Sequence, residues 1–499
     1  MSVGHPEGTF LTTEGRKEVE RALSSAATSI SFDKGTIVVR GGHRIPNTVW
    51  DERIGAFRAQ AIFYRDMLQY FKESDLEFQD NVASHLIPCP HLECVSTVKL
   101  RGYQKKALNS WERSGKRGTI VLPTGAGKTV IAIKAIELVN QPALVVVPTL
   151  DLMEQWRKRI EKELSIKAGV LGGGESTLLP VTVSTYDSAF IKAPEIGAKF
   201  SFIIADEVHH IASEGYRQIA EMFSAPYRMG LTATLEREDM LHKEIPRLIG
   251  GVVFRLEPKD LAGSYLSNFS VDRIVVDLTE EEMKEYEKHH RIFTDYIQRN
   301  RIRLFTPMSF RRFIMRSARD PEARKALLAR NRSMDIAFNS ESKIKELEKI
   351  LIENPEERIL IFTQHNDLVY RISRRFLIPF ITHTTNKEER HQILEKFNSG
   401  VYRAVVTSKV LDEGIDVPEA SLGVILSGSG SSREFIQRLG RLLRKSSQKE
   451  EARLVEVISR ETSEVGTSSR RRKKSKIAIA ASSSDAGKEN KNASYLKLS

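Results

Sequence analysis

The segment from Val121 to Thr129, Val-Leu-Pro-Thr-Gly-Ala-Gly-Lys-Thr, constrains the fold of this chain more than any other feature. It ends the apolar run Thr119–Leu122 and precedes a helical pattern from Val130 to Val139, which predicts a strand, a glycine-rich loop and a helix in that order. In such a loop backbone N–H groups turn toward phosphates, and the helix N-terminus adds the positive end of its dipole. The segment therefore predicts a nucleotide-phosphate site within an α/β domain.

The loop and an acidic pair together predict hydrolysis of ATP with Mg²⁺. Lys128 is expected to reach the β- and γ-phosphates, and the Thr129 hydroxyl is expected to hold Mg²⁺. Asp206 and Glu207 follow the apolar run Phe202–Ala205, and Asp206 lies 77 residues after Thr129. Asp206 is the second candidate Mg²⁺ ligand, while Glu207 and Lys128 are candidate catalytic residues, with Glu207 polarising the attacking water. The loop residues assigned to nucleotide binding are Pro123, Thr124, Gly125, Ala126, Gly127, Lys128 and Thr129.

Two further segments of this region carry polar side chains suited to a nucleotide. Gln104, in Leu-Arg-Gly-Tyr-Gln, offers both a donor and an acceptor to an adenine edge, and Arg101 is expected to support the nucleotide. A plain helix N-terminus is the alternative for this segment. The hydroxyl-bearing Leu231-Thr-Ala-Thr234 is expected to hydrogen-bond Asp206 or Glu207 and to report the nucleotide state.

Alternation of short apolar runs with helical stretches predicts two α/β domains with parallel sheets, the second without a phosphate loop. A small α+β domain precedes them, with a strand at Thr36–Arg40 and helical periodicity from Trp50 to Glu73. The predicted organisation is an N-terminal domain at 1–80, a linker at 81–99, α/β domains at 100–257 and 342–460, a basic helical insert at 281–335, and a basic, disordered tail at 461–499.

The second α/β domain contains candidate residues for the nucleotide cleft. Arg441 and Arg444 are three apart on one predicted helical face, and an arginine from a second domain can stabilise charge on a transferring phosphoryl group. Gly414 and Asp416 are expected at the cleft. Thr407 and Ser408 are expected to contact a nucleic-acid phosphate.

Positive charge is concentrated in the insert. The chain has a net charge of +12, and residues 299–332 alone carry eleven Lys or Arg against two acidic residues. This density favours a polyanionic partner, with aromatic rings available to stack on bases. The alternative is a solvated helical pair with an aromatic core. The candidate DNA-binding residues are Arg299, Arg301, Arg303, Phe305, Arg311, Arg312 and Arg316, with Arg319, Phe310 and Phe313 beside them.

Composition excludes two other classes of protein. No apolar run approaches the roughly 20 residues that cross a bilayer, so no membrane partner is expected. The only two cysteines, Cys89 and Cys94, provide no disulfide framework and fit a reducing compartment. A metal site formed by these cysteines with His85 and His91 is less favoured than a loop, because Cys-x₂-Cys spacing is missing.

The ordered set of motifs resembles superfamily 2 helicases with two RecA-like domains. Leu122 stands where the general phosphate loop has Gly, and the Pro-Thr-Gly-x-Gly-Lys-Thr form is the one that superfamily uses. Arg237, Glu238 and Asp239 resemble the Arg-Glu-Asp motif that the xeroderma pigmentosum group B (XPB) family uses to open DNA. The insert lies where that family has its thumb, and the N-terminal residues resemble the damage-recognition domain of its archaeal members.

That resemblance implies an ATP-dependent DNA helicase or duplex translocase in repair, acting 3′-5′ on forked or partly duplex DNA. It further implies a monomer in a prokaryotic cytoplasm, associated with the nucleoid and with a partner nuclease; a nuclear location applies only to a eukaryotic source. The alternatives are a motor subunit of a restriction-type or phage system, an RNA helicase, and a nucleic-acid-binding scaffold with a degenerate ATPase.

Overall fold

The computed structural model describes residues 27–41, 44–92, 96, 98–235, 239–261, 268–304, 307–408, 420–427 and 451–474. Contacts within the chain separate it into two compact units, with the division between Leu256 and Glu257. Within the described ranges no helix has the length and apolarity needed to cross a membrane.

The first unit begins with a five-stranded sheet covered by one helix. Its strands have the order β3-β4-β2-β1-β5, and only β5 pairs in parallel. The helix α1, Tyr64–Glu73, buries Met67 and Phe71 against Ile30 and Ile37 of the sheet. Its elements are β1 (Thr28–Asp33), β2 (Thr36–Arg40), β3 (Val49–Asp51), β4 (Ala56–Gln60) and β5 (Phe78–Asp80), with 3₁₀ turns at Ala61–Phe63 and Ala83–His85.

The helix predicted from Trp50 to Glu73 is wrong over its first half. Trp50 lies in β3 and pairs with Phe57 of β4, and their rings meet edge to face at 5.1 Å. Gly55, at φ 57°, makes the turn between these strands, a conformation that a helix interior does not accommodate. The helix itself begins only at Tyr64.

The five-stranded sheet packs directly on the α/β part of the same unit. Ile62 belongs to the core of the α/β part, and Ala198 belongs to the core of the small sheet. A Cβ at Gly197 would lie 2.7 Å from Cζ of Phe32. Arg65 of α1 donates to the carbonyl of Gly115 at 2.9 Å. The two parts therefore share buried surface and are expected to move together.

The α/β part of the first unit is built on an eight-stranded sheet with the order β13-β6-β12-β11-β7-β10-β8-β9. All pairs are parallel except the short edge pair β8–β9. Its strands are β6 (Arg117–Val121), β7 (Ala143–Val147), β8 (Gly169–Gly172), β9 (Glu175–Thr177), β10 (Val181–Thr185), β11 (Phe202–Asp206), β12 (Tyr227–Thr232) and β13 (Val252–Arg255).

Every residue of β7, β10 and β11 is buried, which explains why these strands are continuous apolar or β-branched runs rather than alternating ones. The apolar runs at 119–122 and 202–205 coincide with strands β6 and β11, as predicted. The helices are α2 (Gly102–Arg113), α3 (Lys128–Val139), α4 (Leu150–Leu164), α5 (Tyr186–Ile196), α6 (Arg217–Met222) and α7 (Ile245–Leu248), with 3₁₀ helices at Val208–Ala212 and Leu241–Glu244.

The second unit contains a six-stranded parallel sheet with the order β14-β19-β18-β15-β17-β16. Strands β14 and β19 were not predicted from the sequence, and they pair along nine residues of each strand. The strands are β14 (Asn268–Val276), β15 (Ile359–Phe362), β16 (Phe380–Ile381), β17 (Ala404–Thr407), β18 (Leu422–Ile425) and β19 (Glu451–Ser459). Four further helices of this unit are α8 (Pro258–Leu261), α12 (Glu341–Glu353), α13 (Asn366–Phe376) and α14 (Lys387–Asn398).

Three helices form the insert between β14 and α12: α9 (Glu280–Arg299), α10 (Pro307–Ser317) and α11 (Pro321–Phe338). Thr279 and Glu282 form a capping box at the start of α9. Phe313 is 2% exposed in a small core with Tyr296 and Ala323. The expectation that Phe313 stacks on bases is therefore wrong, because packing between the helices encloses its ring.

The tail predicted to be disordered from residue 461 begins instead with a helix, α15, at Ser463–Lys474. Glu464 in its first turn is 2% exposed and pairs with the fully buried Lys343 of α12, at 2.6 and 2.7 Å. The same carboxylate accepts the N–H of Ser459 at 3.0 Å. These contacts hold the start of α15 against the sheet of the second unit.

Candidate nucleotide-binding site

The glycine-rich loop leaves the carboxyl end of β6 and enters α3 at Lys128. Gly125 and Gly127 have φ of 83° and 76°, which L-residues with a Cβ rarely adopt. At Gly127 an added Cβ would also lie 2.5 Å from Nε2 of Gln104. Both glycines are thus required by the shape of the loop, as the sequence predicted.

Gln104 lies against this loop and is 4% exposed. Its amide Nε2 donates to the carbonyl of Ala126 at 3.0 Å, and Tyr103 donates its hydroxyl to the same carbonyl at 2.8 Å. The Oε1 atom of Gln104 accepts the N–H of Arg101 at 2.8 Å. One amide hydrogen and one lone pair stay available for an adenine edge, so Gln104 can hold the loop and contact a base at once.

Polar groups of the loop are arranged as a phosphate cradle would require. Nζ of Lys128 donates to the carbonyl of Leu122 at 3.1 Å, which folds the side chain back over the loop. The hydroxyl of Thr124 is buried and has no hydrogen-bond partner among the described residues. Buried polar atoms are rarely left unsatisfied, so the cradle fits a ligand that supplies acceptors. Thr129 occupies the first turn of α3.

Asp206 ends β11 and is 6% exposed. Its Oδ2 accepts the indole N–H of Trp156 at 2.8 Å, and its Oδ1 accepts the N–H of Glu207 at 3.0 Å. Burial raises the pKa of Asp206 to about 6, and the adjacent Glu207 adds to the rise while Lys128 opposes it. Two neighbouring carboxylates in a desolvated place favour a bound cation, which fits Mg²⁺ held by Asp206 and Thr129.

Glu207 follows with φ 48°, a left-handed conformation that turns the chain into the short helix Val208–Ala212. Oγ1 of Thr232 lies 3.0 Å from Oε2 of Glu207 and 2.7 Å from the carbonyl oxygen of Thr234. Nδ1 of His209 lies 3.5 Å from that carboxylate oxygen. The hydrogen bond expected between the Thr-Ala-Thr segment and the acidic pair is therefore present, and its partner is Glu207.

Three contacts of the acidic pair were missed by the sequence analysis. Trp156 on α4 holds one oxygen of Asp206, and Tyr186 donates its hydroxyl to the Asp206 carbonyl at 2.9 Å. His209 is fully buried beside Glu207. Trp156 and Tyr186 belong to no local motif, since only the parallel packing of β7, β10 and β11 brings their helices to this edge. His209 lies within the acidic segment Asp206-Glu-Val-His209, so its position in the sequence could have predicted a contact with the acidic pair.

Several predicted residues lie outside the described residues. These are Arg237, Glu238, Phe305, Gly414, Asp416, Arg441 and Arg444. Asp239 is described, and its carboxylate accepts the N–H of Leu241 at 3.1 Å. Thr407 and Ser408 are buried at the end of β17, where the Thr407 hydroxyl donates to the Ser408 carbonyl. Burial of both side chains argues against a direct contact with a nucleic-acid phosphate.

Most arginines of the insert lie on its surface. Arg316 is half-exposed and bonds to Asp320 and Asn300, at 3.2 and 2.9 Å. Arg330, by contrast, lies over the ring of Phe310 at 4.6 Å. The exposed side chains expected to face DNA are Arg299, Arg301, Arg303, Arg311, Arg312 and Arg319.

The suggested metal site receives no support within the described part of the chain, where no group of three or more His, Cys, Asp or Glu could hold a metal ion. His91 is 3.0 Å from the side-chain amide of Asn140, the residue that caps α3. Cys94 lies outside the described residues.

Three family models match the chain. The helicase conserved C-terminal domain matches residues 342–446. A model described as the res subunit of type III restriction enzymes matches residues 97–237. The damage recognition domain of the xeroderma pigmentosum group B helicase matches residues 30–82. These matches and the two parallel sheets establish two tandem RecA-like domains preceded by a small N-terminal domain.

Relatives with curated names extend this likeness over most of the chain. The DNA 3′-5′ translocase XPB2 of Sulfurisphaera tokodaii is 44% identical over 86% of this chain and 96% of its own. The putative DNA 3′-5′ helicase Rad25 of Haloarcula marismortui is 30% identical over 74% of this chain and 53% of its own. The DNA 3′-5′ helicase XPB of Mycobacterium tuberculosis is 28% identical over 73% of this chain and 61% of its own.

Among solved structures, the Hef helicase domain of Pyrococcus furiosus matches with a TM-score of 0.51 and 18% identity, over 74% of this chain and 97% of that one. This likeness concerns the fold. The 44% identity along nearly the whole length of a relative, together with the damage-recognition match, shows that the chain belongs to the XPB family of helicases.

Proposed function

We propose that this protein is an ATP-dependent DNA helicase or duplex translocase that works 3′-5′ in DNA repair. The observation that carries the proposal is the joint placement of Asp206, Glu207 and Thr232 at the strand ends beside an intact phosphate loop. The Thr232 hydroxyl thereby connects the proposed hydrolytic residue Glu207 to the segment that follows β12.

Each residue of the loop and the acidic pair has a distinct role in the proposed hydrolysis. Lys128 and the loop N–H groups bind the phosphates, while Glu207 orients and deprotonates the attacking water. Asp206 and Thr129 hold Mg²⁺, which when bound neutralises phosphate charge. The low exposure of Asp206 strengthens its electrostatic interactions with a bound cation.

The remaining nucleotide contacts are proposed from their sequence positions. Arg101 and Gln104 contact the base side of ATP, and Gly414 and Asp416 line the cleft. Arg441 and Arg444 come from the second RecA-like domain and stabilise the charge of the transferring phosphoryl group. Such an arrangement makes hydrolysis depend on closure of the two domains.

DNA is proposed to be the polymer on which the motor acts. The exposed arginines of the insert supply sequence-independent affinity for phosphates, and Arg237, Glu238 and Asp239 convert domain motion into strand opening. Support comes from relatives named DNA 3′-5′ translocase or helicase, and from an Antonospora locustae relative named as a subunit of general transcription and DNA repair factor IIH. A monomer acting on cytoplasmic DNA with a partner nuclease completes the proposal.

The organisation proposed for the chain follows the ranges inferred from its sequence: 1–80, 81–99, 100–257, 281–335 and 342–460, with residues after 460 forming the tail. Two elements lie outside these ranges. Strand β14 belongs to the second sheet although it precedes the insert, and helix α15 extends the second α/β domain beyond residue 460.

A motor subunit of a restriction system is the second candidate, because the model matching residues 97–237 bears that description. The damage-recognition match at residues 30–82 and the translocase relative that aligns over 96% of its length favour the repair enzyme. An RNA helicase is the third candidate, and it is separated from the others by substrate preference.

Strand separation on a forked DNA with a labelled strand tests the proposal. The wild-type protein should release the labelled strand only with ATP and Mg²⁺. The variant Glu207→Gln should bind ATP but should not release the strand. Separation of an RNA fork but not of a DNA fork would contradict the proposal. A variant Glu154→Gln, at a carboxylate that pairs with Arg157 on the surface of α4, serves as the control.

A further inference from the structure

A polar cavity apart from the nucleotide-binding site lies in the first unit, where the small N-terminal sheet domain packs against the α/β part. Its volume is about 460 Å³, within the range of small-ligand sites. The polar side chains that line it are Arg65, Asp66, Gln69, Ser114, Arg117 and Arg247. Arg117 is the first residue of β6, whereas the phosphate loop follows the last, so the cavity lies at the opposite end of that strand from the proposed ATP site.

Two arginines on neighbouring strands beside this cavity form no ion pair within the described residues. Arg117 and Arg228 are register partners on the neighbouring strands β6 and β12. Arg228 is fully buried, and within the described residues its guanidinium donates to backbone carbonyl oxygens alone. In the described part of the chain no carboxylate lies within ion-pair distance of Arg65, Arg117 or Arg228. The carbonyls that Arg228 contacts belong to Ala220, Phe223, Ala225 and Leu248, at 2.7 to 3.1 Å.

Like charges placed opposite each other on adjacent strands destabilise a sheet, and a buried cation without a counter-ion is costly. Burial lowers the pKa of Arg117, with Arg65 adding to the effect and Asp66 opposing it. The only acceptor near the Arg117 guanidinium in the described residues is the Arg247 carbonyl, at the outer limit of 3.5 Å. Arg65 donates to the carbonyls of Gly115 and Pro226.

The third arginine of the lining is neutralised. Arg247 pairs with Glu221 at 2.6 Å and with Glu244 at 3.3 Å, so its charge is satisfied within the protein. Asp66 is exposed at the rim and is the one carboxylate that lines the cavity. A net positive charge is therefore left between Arg65 and Arg117, in a space large enough for a ligand.

We propose that this cavity binds a phosphate group, held by Arg65 and Arg117 in front of the buried charge of Arg228. Guanidinium groups match the geometry of phosphate oxygens and pair with them in bidentate fashion. The phosphate comes either from the backbone of a nucleic acid or from a free phosphate compound. The inference does not depend on the function proposed for the ATP site.

Two binding measurements on the full chain distinguish the sources. The first is calorimetric titration with pyrophosphate in a Lys128→Ala background, which removes the lysine of the phosphate loop. The second is duplex DNA affinity as a function of salt. Arg117→Gln and Arg65→Gln should each weaken either the binding of pyrophosphate or the binding of duplex DNA at least about tenfold. Loss of pyrophosphate binding identifies a free phosphate compound, and a salt slope lower by about one identifies a nucleic-acid phosphate.

Arg117→Lys keeps the charge and should retain most of the affinity, which separates binding from a defect in folding. Arg40→Gln removes an exposed charge at the end of β2, away from the cavity lining, and is the matched control. Thermal unfolding of each variant reports whether the fold is intact, and Arg65→Gln supplies the test if Arg117→Gln does not fold. The proposal is overturned if both glutamine variants bind pyrophosphate and DNA as Arg40→Gln does.

Discussion

The hydroxyl of Thr232 lies 3.0 Å from Oε2 of Glu207 and 2.7 Å from the carbonyl oxygen of Thr234. One hydroxyl hydrogen can serve only one of these acceptors at a time, so the bond to Glu207 can be exchanged for the bond to Thr234. Glu207 is proposed to activate water, and Thr232 ends a strand that runs beside β11. This pair therefore connects the proposed catalytic carboxylate to the segment that follows β12.

Replacing Thr232 with Val should lower kcat for ATP hydrolysis about tenfold with little change in KM. A hydrogen bond to a charged group is worth about 1.5–3 kcal/mol, and its loss leaves Glu207 less well oriented. Steady-state ATPase rates with DNA present measure the effect. Thr232→Ser keeps the hydroxyl and should retain most of the rate. Equal rates for Val and wild type would remove Thr232 from the mechanism.

Lys128→Ala should abolish ATP hydrolysis and leave DNA binding intact, because Lys128 is expected to contact the phosphates and lies in the loop rather than in the insert. ATPase rates and fluorescence anisotropy with labelled DNA measure the two properties. Lys134→Ala, further along α3, removes a lysine that pairs with Glu137 and serves as the control. Retained hydrolysis in Lys128→Ala would refute the assignment of the loop.

Asp206→Asn should gain stability relative to the wild type as pH rises from 4 to 7 in the absence of Mg²⁺ and nucleotide. The pKa of Asp206 is raised to about 6 from an ordinary value near 4, chiefly by burial. An acid with a raised pKa contributes stability that is complete below the unfolded-state pKa and is lost as pH rises through the folded-state pKa. A shift of about two pKa units corresponds to about 3 kcal/mol at most.

Unfolding measured across that pH range checks the prediction for Asp206. Adding Mg²⁺ at pH 7 should stabilise the wild type more than Asp206→Asn, since the cation offsets the repulsion from Glu207. A stability difference that does not vary with pH would show that Asp206 does not titrate in this range.

Replacing Arg311, Arg312 and Arg319 together with Gln should lower the salt dependence of DNA affinity. Removing one ion pair between an arginine and a DNA phosphate reduces the slope of log K against log salt by about 0.9. DNA affinity measured from low to moderate salt gives the slope. The matched control is Gln at the three exposed arginines of α13, which are Arg371, Arg374 and Arg375. Equal salt slopes for both triple variants would show that the insert arginines do not contact DNA phosphates.

Lys343→Met should destabilise the second unit by about 3–5 kcal/mol, because it leaves the buried Glu464 carboxylate without its cation. Adding Glu464→Gln should recover part of the stability, since the uncompensated charge is then gone. Denaturant unfolding of the single and double variants measures both effects. Lys349→Met, at an exposed pair with Glu346, is the control. A double variant less stable than Lys343→Met would contradict this account.

The local signals in the sequence were sufficient for the strands and loop around Lys128 and for the acidic pair. A strand, two glycines and a helix start are encoded within about a dozen consecutive residues, so no distant partner is needed to recognise them. For Thr232, the sequence predicted only that its segment contacts one of the two carboxylates. Which carboxylate it meets depends on the register of β11 against β12.

Long-range packing decided the features that the sequence did not predict. Strand β14 pairs with β19 across more than 170 residues of chain, and no local pattern encodes that partner. The spacing of apolar residues between Trp50 and Ile62 suits a helix face as well as a hairpin, and Gly55 is the local signal that favours the hairpin. Phe313 and Glu464 look exposed in a basic context. Phe313 is buried between the neighbouring helices α9 and α11, and Glu464 is buried against Lys343, 121 residues away.

ATPase rates without nucleic acid and with single-stranded DNA, duplex DNA, forked DNA and RNA show whether this protein is a motor that acts on DNA. We expect a low basal rate and strong stimulation by DNA, largest for the fork. Stimulation by RNA alone, or a rate that no nucleic acid changes, would contradict the assignment of this chain as a DNA motor.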